Sequence, residues 1–258
     1  MRGAARFAHP VFWLPTVLTL LVVAALWSWV AAGNPYVLPT LPSVGRQFLD
    51  QPDLYLTNAW TTLSEALLGL LAGVAAAVLV AVLICESALF RRGVTPLAVI
   101  LNVTPVVAIA PALVVAFGFG MTPKVVVTGL TTFFPVLMNT VTGLRSVDRH
   151  VLQVFRTVDA SRLDVLLRLR FPSALPYLFS SLRVVFPLSL VGAIVAEFSA
   201  AGAQSGLGTL ISVASSNSQL DRVFAAIACL AAMGSLMLLV VTTVERRALS
   251  WHESQNRR

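Results

Sequence analysis

The chain has 258 residues, of which 57% are hydrophobic and only 11% are charged. Because a soluble domain normally carries about 25% charged residues, this composition excludes an ordinary water-soluble globule and indicates that much of the surface faces lipid. The net charge of +7 is spread between long apolar runs rather than gathered in one basic domain, which argues against nucleic-acid binding.

Six apolar stretches are long enough to cross a bilayer core, which needs roughly 20 residues per helix. They are residues 11–32, 66–85, 94–118, 125–144, 184–203 and 223–244. The third contains Pro96, Pro105 and Pro111, so we predict that it is kinked or broken inside a bundle whose neighbouring helices satisfy the freed backbone groups. The prediction is an all-α integral membrane protein with about six transmembrane helices, forming a single domain over residues 1–258.

The first stretch also resembles a signal peptide. Arg2 and Arg6 precede the apolar core, and Val30, Ala31 and Ala32 end it in the manner of a cleavage site. A run of 22 residues is long for a signal peptide and sufficient for a span. We therefore expect the segment to be retained, and the remaining spans keep their topology in either case.

Basic residues indicate the orientation, because they concentrate on the cytoplasmic side of membrane proteins. With the N-terminus inside, the inner segments hold 15 of the 18 basic residues, and the outer segments hold Arg46, Lys124 and Arg222. Acidic residues are divided 6 to 5 and do not set the orientation. Both termini are therefore predicted to be cytoplasmic.

Residues 33–64 form the first outer segment. Ser43, in the run LPTLPS, is expected to cap a short helix over residues 44–49. The segment is either an ordered loop that seals the bundle or a platform for a partner outside the membrane, and the sequence leaves both open.

Residues 145–183 form the longest inner segment, with seven arginines. Apolar side chains at helical spacing predict one helix over residues 151–158. A second short helix is predicted to begin at Ser161, which forms an S-x-x-[DE] capping pattern with Asp164. Two amphipathic helices rimmed by arginine would either dock on a partner or lie on the inner leaflet against anionic lipid.

This segment resembles a known motif. Residues 152–176 read LQVFRTVDASRLDVLLRLRFPSALP and, without gaps, resemble the EAA loop of ABC importer permeases, whose pattern is E-A-A-x3-G-x9-I-x-L-P. The resemblance assigns ATPase coupling to Gln153, Val154, Phe155, Asp159, Ala160, Ser161, Arg162, Leu163 and Pro172. Gln153 and Asp159 depart from the pattern, which has glutamate and glycine there. Aspartate tolerates the left-handed turn that glycine permits, at some energetic cost.

The resemblance extends over nearly the whole chain. Residues 134–148, the outer run at 37–44, and Val195–Phe198 followed by Ser205–Gly208 are similar to segments of the nitrate, sulfonate and taurine branch, which also includes permeases for pyrimidine precursors, riboflavin and aromatic acids. It implies the type I importer permease fold in the bacterial cytoplasmic (inner) membrane, with the EAA-like coupling helices between the fourth and fifth spans. It further implies a second permease copy as a homodimer, two cytoplasmic ABC ATPases, an extracytoplasmic solute-binding protein and contact with membrane lipid.

ATP chemistry is expected on another chain. A phosphate-binding loop needs G-x-x-x-x-G-K-[ST], but Lys124, the only lysine, lies between Pro123 and Val125. No arrangement of Cys85, Cys229 or the three histidines has metal or redox spacing. We therefore expect no catalytic or metal-binding residues and no cofactor on this chain, with ATP and Mg²⁺ bound by the partner ATPase.

Polar residues inside spans are candidates for a translocation pathway. Asn102 and Thr104 lie in the third span, and Thr131, Pro135, Asn139 and Thr142 fall on one face of the fourth. The alternative for the polar side chains is hydrogen bonding to the carbonyl groups of their own helix.

Glu197 lies roughly 20 Å into the fifth span, beyond the midplane toward the outside. An unpaired carboxylate at this depth is costly, so it is a candidate gate element, helix contact or substrate ligand. The substrate itself is not predicted, although Glu197 favours small heterocycles over anions. An ion-coupled secondary transporter and a non-transporting scaffold are the alternative functions.

Overall fold

The computed structural model of the chain describes residues 10–34, 37–200 and 205–249, and every regular element in these ranges is helical. The helices are α1 Pro10–Gly33, α2 Leu41–Asp50, α3 Pro52–Glu86, α4 Ala88–Val103, α5 Val106–Phe117, α6 Met121–Arg145, α7 Arg149–Thr157, α8 Arg162–Val165, α9 Phe171–Ser199, α10 Leu207–Ser216 and α11 Leu220–Ala248. A π-helical turn, Leu166–Arg170, joins α8 to α9.

Within the described residues, five helical stretches are long and apolar enough to cross a membrane: Trp13–Gly33, Pro52–Glu86, Met121–Arg145, Arg162–Ser199 and Leu220–Ala248. The predicted third span is two shorter helices, α4 and α5, separated at Thr104 and Pro105. Proline has no amide hydrogen to donate and disfavours a helical residue before it, which explains the break. The prediction of a kinked or broken third span is confirmed.

Three helices begin earlier than the sequence predicts. Helix α2 begins at Leu41, and Thr40 rather than Ser43 caps it, because Pro42 fits the first turn of a helix. Helix α3 begins at Pro52 rather than at residue 66, and α9 begins at Phe171 rather than at residue 184. Hydropathy detects only the apolar part of a helix, so it misses ends that carry polar side chains.

The predicted second short helix of the inner segment is not a separate element. It begins as α8 but continues through the π-helical turn into α9, so helical structure runs from Arg162 to Ser199. In the turn, the Phe171 N–H donates to the Leu166 carbonyl, one residue further back than in an α-helix. Pro172, which follows the predicted second helix, lies in the first turn of α9, where proline is tolerated.

Helices α3, α6 and α9 form the centre of the bundle. A Cβ atom on Gly73 of α3 would lie 2.3 Å from Thr132 Oγ1 and 2.5 Å from the Gly129 carbonyl oxygen, so the backbones of α3 and α6 are almost in contact. Small residues permit such close approach between membrane helices. Leu70, Leu137 and Val185 share the buried apolar core around this contact.

Polar contacts gather at the two ends of the bundle. At one end, Arg170 of the π-helical turn pairs with Glu86 at the end of α3. At the other, Gln47 of α2 donates to Asp221 of α11, and the Trp27 indole donates to the Pro39 carbonyl at 2.9 Å. Arg2, Arg6, Arg257 and Arg258, on which the predicted placement of the termini partly rests, lie outside the described residues, as do residues 201–203 of the predicted fifth span.

Candidate functional site

The turn between α7 and α8 has the geometry expected at the glycine position of the EAA pattern. Asp159 adopts a φ of 50°, in the left-handed region that glycine occupies most easily. The Ala160 N–H donates to the Phe155 carbonyl at 3.1 Å, which closes the end of α7. The expectation that aspartate tolerates the left-handed turn at this position is confirmed.

Ser161 begins α8 as the capping pattern predicts. The Asp164 N–H donates to Ser161 Oγ at 3.1 Å, and the Ser161 hydroxyl donates to Asp164 Oδ2 at 2.5 Å. These bonds satisfy a backbone donor that the first turn of a helix leaves free. The cap therefore fixes where the chain turns from α7 into α8.

The two helices carry apolar side chains that the described part of the chain does not cover. Val154 is 61% exposed and Leu163 is 62% exposed. Gln153, Asp159, Ser161 and Arg162 are also exposed, whereas Phe155, Ala160 and Pro172 are half-buried. We call Arg149–Val165 the coupling segment. Its exposed apolar surface is suited to a partner that covers it.

The predicted pathway residues are divided among three places. Thr131, Pro135 and Asn139 lie one helical turn apart on α6, whereas Asn102 and Thr104 lie at the end of α4 beside the break. Thr131 Oγ1 donates to the Val127 carbonyl at 2.9 Å, Asn139 Nδ2 to Pro135 at 2.8 Å and Thr104 Oγ1 to Ile100 at 3.0 Å. These are the bonds of the back-bonding alternative, so a pathway role for these residues stays a prediction.

A cavity of about 670 Å³ lies between α3, α4, α6 and α9. Its walls are mostly apolar, and Thr95, Thr142, Arg145, Ser146 and Tyr177 contribute polar groups. Thr142 lies on α6 near the predicted pathway residues, three residues beyond Asn139. The volume falls in the range of small-molecule sites, roughly 300–1,000 Å³.

The hydrogen bonds of the Glu197 carboxylate go to residues other than the predicted pathway residues. Both of its oxygens accept hydrogen bonds from α3 and from the first turn of α10: Thr62 Oγ1 donates to Oε1 at 2.7 Å, and the Gly208 and Thr209 N–H groups donate to Oε2 at 2.5 and 3.1 Å. The residue is 2% exposed. A carboxylate at a helix N-terminus complements the helix dipole, so the geometry supports the helix-contact alternative.

Two glycines make room for this carboxylate. Gly206 has a φ of 131°, and a Cβ atom there would lie 2.4 Å from Glu197 Cδ. A Cβ atom on Gly208 would lie 2.7 Å from Glu197 Oε2. Either side chain would displace the glutamate, which explains why this stretch needs glycine at both positions.

Sequence reasoning missed the groups around Glu197. Asn58 Oδ1 accepts from the Gly206 N–H at 2.7 Å, and the Leu207 N–H donates to Thr62 Oγ1 at 2.8 Å. Lys124 Nζ lies 2.6 Å from Glu65 Oε1, and both side chains are buried. Lys124, counted above with the outer segments, is therefore buried in the first turn of α6. The predicted spans began at residues 66 and 125, so both charged residues were excluded by one position.

The chain matches a family over most of its length. Residues 69–250 match the family described as "Binding-protein-dependent transport system inner membrane component". The chain is 33% identical to the formylaminopyrimidine transport permease protein ThiX of Halalkalibacterium halodurans, over 94% of this chain and 97% of ThiX. It is 32% identical to the riboflavin transport system permease protein RibX of Chloroflexus aurantiacus, over 98% and 95% of the two chains. Both solutes are among those expected for the branch that the sequence resembles.

A solved structure supports the fold. The crystal structure of an amino acid ABC transporter with histidines matches with a TM-score of 0.64 at 16% identity, over 78% of this chain and 97% of that chain. The bundle, the family match and the relatives agree. The chain belongs to the inner membrane components of binding-protein-dependent transport systems and is the permease component of such an importer.

Proposed function

We propose that the chain forms the solute pathway of an ATP-driven importer and that its coupling segment docks on a separate ABC ATPase. The exposed apolar surface of α7 and α8, between the left-handed turn at Asp159 and the cap at Ser161, supports this proposal most directly. ATP and Mg²⁺ would then bind the ATPase, because the chain carries no phosphate-binding loop. Membership of the family supports this function and not an ion-coupled secondary transporter.

The complete importer is proposed to hold two copies of this permease, two ATPases and an extracytoplasmic solute-binding protein. The coupling segment lies at one end of the bundle, and α2 and α10 lie at the other. This arrangement is consistent with partners on opposite sides of the membrane. The basic residues support a cytoplasmic coupling segment and cytoplasmic termini.

The pathway is proposed to run along the α6 face that bears Thr131, Pro135 and Asn139, past Asn102 and Thr104 at the proline break. The cavity lined by Thr142 supports this course. Thr142 lies on the same helix as the three residues above and nearer to the coupling segment. Backbone carbonyls freed at Pro105 would supply polar groups where a membrane helix otherwise has none. Glu197 borders the proposed pathway as a helix contact.

The substrate is proposed to be a small heterocycle rather than a sulfonate or nitrate. The pyrimidine and riboflavin permeases above support this class.

Charge substitutions in the coupling segment test the docking proposal. Phe155→Glu and Leu163→Glu place a carboxylate on the apolar surface that the ATPase would bury, so co-purification of the ATPase should fall about tenfold or more. Leu163→Met keeps an apolar side chain and should retain the ATPase. Leu49→Glu places the same charge on an exposed leucine of α2, at the opposite end, and should also retain it.

Normal co-purification of the ATPase with Phe155→Glu and Leu163→Glu would show that docking occurs elsewhere. Co-purification lost with Leu49→Glu as well would indicate a general effect of charge on assembly.

A further inference from the structure

Arg170, the last residue of the π-helical turn, connects the coupling segment to the end of α3. Its Nη1 atom lies 2.7 Å from Glu86 Oε1 and 3.2 Å from Cys85 Sγ. The side chains of Arg170 and Glu86 are 24% and 29% exposed, so water screens this ion pair less than a fully exposed one. A charge-assisted hydrogen bond of this length is among the stronger polar contacts in a protein.

The same end of α3 is also held to α6. Arg145 Nη2 donates to the Ile84 carbonyl at 3.3 Å, and Cys85 Sγ lies 4.0 Å from the Leu144 carbonyl. The last carbonyl groups of a helix lack partners within the helix, so such contacts determine how firmly its end is fixed. Two arginines, from the two helices that flank the coupling segment, therefore meet the end of α3.

In the described chain, no loop separates the coupling segment from Arg170. Helix α8 continues through Leu166–Arg170 into α9, so a displacement of Leu163 would be carried along a continuous helix. Single π-helical turns inside α-helices occur frequently at functional sites. Arg170 lies where this turn ends and α9 begins.

We propose that the Arg170–Glu86 pair is a mechanical link that carries ATP-driven movement of the coupling segment to α3. This proposal rests on the docking of the coupling segment on an ATPase. Arg170 and Glu86 are then positioning residues: they touch neither ATP nor solute, and they make α3 follow α8 and α9. Helix α3 reaches from this pair to the Thr62–Glu197 contact near the opposite end, so movement at Glu86 reaches the groups that hold α10.

A charge-reversal cycle in the assembled complex tests the link. The permease–ATPase complex is reconstituted in nanodiscs with Cys85→Ser and Cys229→Ser, and Thr57→Cys at an exposed position near the outer end of α3 reports movement. Its labelling by a soluble maleimide is compared without nucleotide and after trapping with ATP, Mg²⁺ and vanadate. No solute is needed, and serine at position 85 keeps an acceptor for Arg170.

With Arg170 and Glu86 intact, trapping should change the labelling rate about fivefold or more, a typical coupling between distant sites. Arg170→Glu and Glu86→Arg should each reduce this change to less than about twofold while the ATPase remains bound and active. The double variant reverses both charges and should restore most of the response. Arg170→Lys keeps the charge and should retain more of the response than Arg170→Glu.

Arg168→Glu is the matched control. Arg168 lies two residues away and makes an exposed pair with Asp164 at 3.4 Å, so its reversal should leave the labelling response unchanged. An equal loss with Arg168→Glu, or a double variant no better than the single variants, would overturn the link. Loss of ATPase binding with Arg170→Glu would make Arg170 a docking residue instead. Absence of ATPase binding before any change at Arg170 or Glu86 would refute the proposed function itself.

Discussion

Glu197 lies in a strongly apolar stretch, where a carboxylate without partners would be expensive. The structure surrounds it with donors from two other elements: the Thr62 hydroxyl of α3 and the Gly208 and Thr209 amides of α10. The Glu197 side chain, near the end of α9, thereby fixes the start of α10, the next helix along the chain. The glutamate and the two glycines at positions 206 and 208 form one structural unit.

Replacing Glu197 with alanine should destabilise the protein strongly. Two buried donors, the Thr62 hydroxyl and the Gly208 N–H, and the half-buried Thr209 N–H would lose their acceptor, and each unsatisfied buried group costs about 1–3 kcal/mol. Glu197→Gln keeps the shape and one acceptor oxygen, so it should lose much less. Thermal unfolding in detergent should give a melting temperature about 6 °C or more lower for Glu197→Ala. Asp50→Ala, at an exposed position, is the control.

Equal destabilisation by glutamine and alanine would mean that the charge itself holds the helices together. A wild-type melting temperature for Glu197→Ala would rule out the capping role.

At the scale of the elements, the apolar runs predict which parts of the chain are helical but not where the helices begin. Helix α3 begins at Pro52, and the part of it before the predicted span buries Asn58, Thr62 and Glu65 against other helices rather than exposing them to lipid. Such polar contacts depend on residues far along the chain, which periodicity does not reveal. Local signals were more informative: the cap at Ser161 follows from the capping pattern with Asp164, and the left-handed turn at Asp159 was expected from the resemblance to the EAA pattern, which has glycine there. The continuation of α8 into α9 depends on a π-helical turn, for which the sequence carries no such signal.

The contact between α3 and α6 predicts opposite effects for two glycine substitutions. Gly73→Ala would bring a Cβ atom within 2.5 Å of the Gly129 carbonyl oxygen, a backbone atom that cannot move without separating the helices. The resulting strain should cost about 1–3 kcal/mol. Gly93→Ala, in α4, meets nothing within 4 Å and should stabilise by about 0.4–1 kcal/mol through reduced backbone freedom in the unfolded chain.

Thermal unfolding of the two alanine variants side by side measures this difference. A melting temperature for Gly73→Ala that equals or exceeds the wild-type value would contradict the close packing of α3 against α6.

In the molecule as a whole, polar contacts between helices lie at two opposite ends, and the apolar core of the bundle lies between them. The end with Arg170 and Glu86 carries the coupling segment, whereas the end with Gln47 and Asp221 carries α2, α10 and the start of α11. Burial of Lys124 against Glu65 leaves two of the three predicted outer basic residues free to influence orientation, Arg46 and Arg222. At the coupling end Arg170 pairs with Glu86 and Arg183 with Glu245, and discounting these two arginines as well leaves the excess of basic residues at that end in place.

This charge distribution predicts that the coupling segment faces the cytoplasm. In a background with Cys85→Ser and Cys229→Ser, Asp50→Cys at the end of α2 should react with a membrane-impermeant maleimide in intact spheroplasts. His150→Cys, in α7, should react only after the membrane is permeabilised. Both positions are exposed, so burial does not explain a difference in labelling. Labelling of His150→Cys in intact spheroplasts, with Asp50→Cys protected, would show the opposite orientation. The coupling segment could not then contact a cytoplasmic ATPase.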